Sequence, residues 1–214
     1  MCFSASASFV AGASLLAIGA ITIKKAERKA ELPFAAIPLL FGVQQIIEGI
    51  IWLTFRFDTP LLNTVMTNAY SLFSHVLWPI YVPFAVLALE PVPWRRTGLY
   101  AFLAIGTAAG LYLLINMVRF PIMSKLAGAH IEYVSPHFYA FVVMGSYLAG
   151  TCLSALLSSH KVVNLFGAVA LLLFVAVYHI YALWFISVWC FFAAVLSAVV
   201  YLHFRTRERY TVSA

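Results

Sequence analysis

Gln44, Glu48 and Trp52 recur every four residues inside the apolar run IPLLFGVQQIIEGIIW, with Gln45 beside them. That spacing puts an amide, a carboxylate and an indole on one face of a helix. A second set, Asn68, Ser71, His75 and Trp78, follows an i, i+3, i+7, i+10 pattern that also defines one helix face. Around His75 the sequence reads SHVLWPIYVP. Proline has no N–H to donate, so Pro79 frees the carbonyl of residue 75 and Pro83 that of residue 79. The expectation is a kink with a polar cavity at His75. A kinked packing helix with a hydrogen-bonded histidine is the other reading, as is a protonated Glu48 bonded to a neighbouring helix.

These groups include metal donors. His75, His179, Glu48 and Cys2 offer nitrogen, oxygen and sulfur ligands for zinc, iron or copper. Removal of Met1 would leave Cys2 with a free α-amine beside its thiol. No HxxxH or HExxH spacing is present. In an enzymatic reading the metal activates water against a lipid or small apolar substrate. Glu48 and Ser71 then act as catalytic groups, and Gln44, Gln45, Asn68, Trp52, Trp78 and Tyr181 line the ligand pocket. The alternative is non-catalytic: a haem or metal sensor with His75 and His179 as axial pair, a small-ligand binder, or a proton or solute conduit.

The elements that must position these residues follow from composition. Hydrophobic residues make up 64% of the 214, charged residues 9%, and mean hydropathy is +0.98. Soluble domains average about 25% charged residues, so this composition belongs in a bilayer. A span needs about 20 apolar residues. The expected fold is an all-α integral membrane bundle of seven transmembrane helices in one domain, 1–214. Its spans are 5–23, 33–55, 63–89, 97–118, 137–159, 162–180 and 183–204. Basic residues follow the first apolar run rather than precede it, so the run reads as a retained helix and not a signal peptide. The stretch 162–204 would be about 65 Å long as one helix. It must therefore fold back, and YHIYALW is the expected corner. The linker RFPIMSKLAGAHIEYVSP, residues 119–136, reads as a surface loop or interfacial half-helix.

Ten of the thirteen basic residues fall on one side of this arrangement; Arg56, Arg119 and Lys125 lie opposite. The positive-inside rule then places the N-terminus outside and the C-terminus in the cytoplasm. A net charge of +6 suits an anionic inner leaflet and calls for no nucleic acid. The lipid bilayer and a small-molecule or lipid ligand are the expected partners. Gly106-xxx-Gly110, Gly145-xxx-Ala149 and Ala13-xxx-Ala17 read as close-packing pairs. Cys152 and Cys190 sit within apolar runs as small packing residues, with no disulfide framework implied.

MCFSASASFVAG, IPLLFGVQQIIEGIIW and SVWCFFAAVLSA resemble the signature blocks of a family of uncharacterised bacterial integral-membrane proteins. That resemblance implies a multi-pass protein of the bacterial inner membrane and no particular chemistry. Ser71-xxx-His75 is similar to the Ser-xxx-His element of the seven-span metal hydrolases that include alkaline ceramidases and the progestin and adiponectin receptors. The resemblance implies zinc at His75. Those proteins add an HxxxH pair in the last span, where this chain has only His203.

Overall fold

The side chain of Ser4 accepts a hydrogen bond from the Ala7 backbone at 3.2 Å and so starts the first helix, α1 (Ala5–Lys25). The computed structural model describes residues 4–128, 130–180 and 184–212, the last with some side chains (190, 191, 193–195 and 206–212) left out. After α1 come α2 (Lys29–Arg56), α3 (Pro60–Leu89), α4 (Pro93–Arg119), α5 (Phe141–Leu156) and α6 (Lys161–Ile180). Two further helices, α7 (Phe185–Phe191) and α8 (Ala193–Val212), end the described chain. The structure is mostly helical. α1, α2, α3, α4 and α6 are long and apolar enough to cross a membrane, and α5 is a shorter apolar helix.

Glycine sets the approach of α1 and α2. A Cβ on Gly19 would lie 2.5 Å from the Leu39 nitrogen, and one on Gly42 would lie 2.8 Å from the Leu16 nitrogen. The antiparallel pair is stitched where Thr22 Oγ1 donates to the Ala35 carbonyl at 2.7 Å. The expected Ala13-xxx-Ala17 contact is not the packing face: both alanines are exposed, and Ser8, Gly12, Leu15, Gly19 and Thr22 face inward. Gly12, Leu15 and Gly19 lie on a different face of the helix from the alanine pair, a residue or two away along the chain, which is why small residues alone misplaced the seam.

Where a kink is expected in α3 the helix has a π-helical turn. Residues Leu72–Leu77 are π-helical, and the Trp78 N–H reaches back to the Phe73 carbonyl. This wider turn absorbs the bond that Pro79 cannot make. A carbonyl exposed by it, that of Ser74, accepts from Tyr147 Oη of α5 at 2.7 Å. α5 has its own π-helical stretch, Ala149–Leu153. The Pro79 carbonyl, which Pro83 leaves without a helical donor, faces backbone rather than a polar cavity. A Cβ on Gly106 would sit 1.9 Å from that oxygen, and one on Gly150 2.7 Å.

The linker departs from expectation. It is an antiparallel hairpin, β1 (Met123–Ala127) and β2 (His130–Val134), in register from Met123 opposite Val134 to Ala127 opposite His130. Gly128 takes the turn with φ 65°. Ile131 and Tyr133 alternate inward, and Tyr133 stacks on Tyr70 with centroids 4.5 Å apart. This two-residue period, rather than the mean polarity of the segment, carries the strand signal.

At the opposite end of the bundle, the buried Glu90 joins two loops. It accepts from Val92 N at 3.1 Å, Ser159 N at 2.6 Å and Ser158 Oγ at 3.2 Å. Arg96 donates to the Leu87 and Glu90 carbonyls, and Arg95 to the Leu157 carbonyl. Burial by itself raises the Glu90 pKa, but the hydrogen bonds from Ser159, Val92 and Ser158 together outweigh it and hold the carboxyl below its ordinary value. A depressed carboxylate contributes stability above the unfolded pKa and loses it as pH falls through the folded one. Thermal unfolding in detergent is therefore expected to show stability falling below about pH 4 in the wild type. Glu90→Gln should flatten that limb and cost roughly 1–3 kcal/mol at neutral pH, because acceptors for buried donors are lost.

Candidate functional site

The polar face of α2 is buried as its spacing predicts: Gln44, Gln45 and Glu48 are at most 1% exposed. Phe41, one turn earlier, stacks on Trp78 of α3 with centroids 3.8 Å apart. The Trp78 indole then donates Nε1–H to Gln44 Oε1 at 2.7 Å. Glu48 Oε1 accepts from Ser187 Oγ of α7 at 2.7 Å. One helix face thus anchors α3 through its amide and α7 through its carboxylate.

Beside these satisfied groups lie others that are not. Among the described residues, neither side-chain polar atom of Gln45 has a hydrogen-bond partner, nor do Trp52 Nε1, Ser8 Oγ, Trp189 Nε1 and Ser197 Oγ. They come from α1, α2, α7 and α8. A buried polar atom without a partner costs about 1–3 kcal/mol, and water or a ligand is one way of meeting that cost. Phe41, Trp78, Tyr147, Thr151 and Trp189 help to line an internal cavity of about 30 Å³. That is room for one or two waters.

His75 has a different environment. It is fully buried. Its Nδ1 lies 2.8 Å from Ser74 Oγ and its Nε2 2.9 Å from Ser135 Oγ. The ring also packs against Phe138, with centroids 5.0 Å apart. Ser135 follows β2, so the histidine ties the π-helical turn of α3 to the foot of the hairpin. Ser71 is buried, and its hydroxyl has no partner among the described residues. Asn68 turns back to its own helix and donates to the Thr64 carbonyl at 2.8 Å. His179 is exposed, beside the Tyr178 ring. Cys2 and Tyr181 lie outside the described residues, as does the side chain of Cys190.

A family model matches the chain over residues 1–214. The protein belongs to DUF6629, a family of unknown function. This agrees with the expectation of an uncharacterised family carried by the MCFSA block, the α2 block and the SVWCFF block. No curated protein and no solved structure matches the chain.

Cys2 lies outside the described residues, and among the rest of the expected metal set no site is assembled. Among the described residues, no three His, Cys, Asp or Glu side chains form a group that could hold a metal. His75 has both ring nitrogens engaged by hydroxyls, Glu48 is bonded to Ser187, and His179 is exposed. A zinc bound through the Ser71-xxx-His75 element does not fit, because His75 would have to give up a serine and no further ligand of that group stands with it. An axial haem ligand at His75 meets the same obstacle. The sequence reading also missed Ser74, Ser135 and Ser187, which bond His75 and Glu48, and the buried but unpartnered Ser8, Trp189 and Ser197. Their signal was present, since each of these serines except Ser135 is a small polar residue in a strongly apolar stretch.

Proposed function

We propose that this protein is a seven-span membrane protein of the bacterial inner membrane that binds a small, oxygen-bearing polar ligand inside its bundle without hydrolysing it. α5, and α7 together with α8, complete the five long apolar helices among the described residues to seven spans. Basic residues at the α1–α2, α3–α4 and α5–α6 connections favour a cytoplasmic side there, with the N-terminus and the hairpin outside.

The observation that carries the binding reading is the set of unpartnered buried side chains, Gln45 and Trp52 on α2 with Ser8, Trp189 and Ser197 on α1, α7 and α8. It is rich in donors: two indole N–H groups, an amide NH₂ and two hydroxyls. Such a set is complementary to carbonyl, hydroxyl or other oxygen acceptors, with water filling the remainder. Of these groups Trp189 also lines the aromatic-walled cavity of about 30 Å³, which limits a ligand there to the size of one or two waters. Metal-assisted hydrolysis is not carried forward, since His75 and Glu48 serve separate bonds.

Apolar substitution tests this directly. If the atoms of Gln45 and Trp52 serve a ligand, Gln45→Leu and Trp52→Phe should keep or raise thermal stability in detergent while losing a small molecule that native mass spectrometry finds on the wild type. Equal ligand content in wild type and variants, or destabilisation by both substitutions with no bound molecule in the wild type, would count against the reading.

A further inference from the structure

At the hairpin end of the bundle, away from the buried α2 face, a second cavity of about 500 Å³ opens between the α2–α3 turn and β1. This volume lies within the roughly 300–1,000 Å³ of small-molecule sites. Part of its wall is already satisfied. Asn63 Nδ2 donates to Thr54 Oγ1 at 2.8 Å, Ser124 Oγ donates to Asn63 Oδ1 at 3.0 Å, and Thr67 Oγ1 lies 2.8 Å from Ser124 Oγ. This chain of hydroxyls and amide pins the hairpin to the helices and fixes the shape of the cavity.

The two charges in the wall are not used in that way. Asp58 and Lys125 both line the cavity. Among the described residues, neither enters an ion pair or a side-chain hydrogen bond, so they stand apart beyond ion-pair distance. Asp58 is held with φ 49°, in the left-handed region. Asp and Asn tolerate that conformation better than most residues. The turn is closed by Thr59 N–H donating to the Thr54 carbonyl at 3.1 Å. A simple anion would meet the Asp58 carboxylate, and a simple cation would meet Lys125. A molecule carrying both signs satisfies each. Phe55, Ile122 and Met123 line the same cavity and offer an apolar flank.

We propose that this cavity binds a phosphoethanolamine group, its ammonium at Asp58 and its phosphate at Lys125. The site lies where helices long enough to span a membrane end, which in the proposed seven-span arrangement is the depth of lipid headgroups. The same chemistry is carried by a phosphatidylethanolamine headgroup and by soluble glycerophosphoethanolamine. The proposal rests on the membrane-spanning reading above but not on the ligand site at Gln45.

The test uses the full chain in nanodiscs of phosphatidylglycerol doped with phosphatidylethanolamine, with retained lipid counted by native mass spectrometry. In parallel, soluble glycerophosphoethanolamine is titrated by calorimetry. Wild type is expected to retain phosphatidylethanolamine selectively. Asp58→Asn, which keeps the backbone preference, and Lys125→Met should each reduce retention about tenfold or more, as the loss of a charge-assisted hydrogen bond implies. Heat of binding from the soluble compound, lost in both variants, supports the site with a free solute as its source. No selectivity together with no heat overturns the proposal, as does unchanged binding in both variants. Circular dichroism confirms that each variant is folded.

Discussion

Gly106→Ala is expected to be among the most damaging single-methyl substitutions in the chain, whereas Gly145→Ala should be harmless. The added methyl at residue 106 would lie 1.9 Å from the Pro79 carbonyl oxygen and 2.9 Å from its carbon. Backbone atoms cannot rotate away as a flexible side chain could. The oxygen is also fixed from the other side, since Gly150 of α5 presses on it closely enough that a Cβ there would lie 2.7 Å away. Helices α3, α4 and α5 therefore meet at one carbonyl, and that carbonyl is bare because Pro83 has no N–H to cover it. Overpacking usually costs about 1–3 kcal/mol, and occasionally more. With no direction of relief, more than about 3 kcal/mol is expected for Gly106→Ala. Around Gly145 nothing lies within 4 Å of the added carbon, so alanine there should gain up to about 1 kcal/mol of helix propensity. Unfolding in a denaturing-detergent titration, with monodispersity by size exclusion, separates the two. Equal midpoints for Gly106→Ala and wild type would remove the three-helix junction from the account.

That pair of glycines shows what the sequence could convey. Both belong to small-xxx-small patterns, and the pattern reports that a close approach is permitted, not that one occurs. Gly106 meets two helices, while Gly145 meets open space. The α2 face was legible because a four-residue recurrence of Gln44, Glu48 and Trp52 has one helical meaning, and burial follows once polar groups lie in an apolar run. Pro79 and Pro83 likewise announced a disturbed α3. They did not announce how the freed carbonyls would be met, since Tyr147, Gly106 and Gly150 come from helices distant in the chain. The hairpin was hidden because 119–136 was weighed by its mean polarity, when the alternation of Ile131 and Tyr133 held the relevant period. Metal chemistry was inferred from donors at similar depth. Depth along a helix axis leaves the azimuth free, and the structure spends His75 on serines and Glu48 on Ser187.

His75→Ala is accordingly expected to loosen the structure rather than to strip a metal from an intact fold. The imidazole bridges Ser74 Oγ and Ser135 Oγ, at 2.8 and 2.9 Å, and packs on Phe138. Its removal forfeits two hydrogen bonds and leaves a cavity, for a combined loss of roughly 3 kcal/mol. Most of the disturbance should fall on the hairpin, because Ser135 is the point at which β2 is tied to the π-helical turn. Limited proteolysis should then cut within 119–136 faster in the variant than in the wild type. Ser135→Ala should reproduce part of the effect, and the double variant should cost less than the two single changes summed, as coupled partners do. Additive losses would mean that the two side chains act separately. A stoichiometric metal present in the wild type and absent from a folded, protease-resistant His75→Ala would reinstate His75 as a ligand. The stitch predicts instead that metal content is the same in both proteins and that the difference lies in how firmly the hairpin is held.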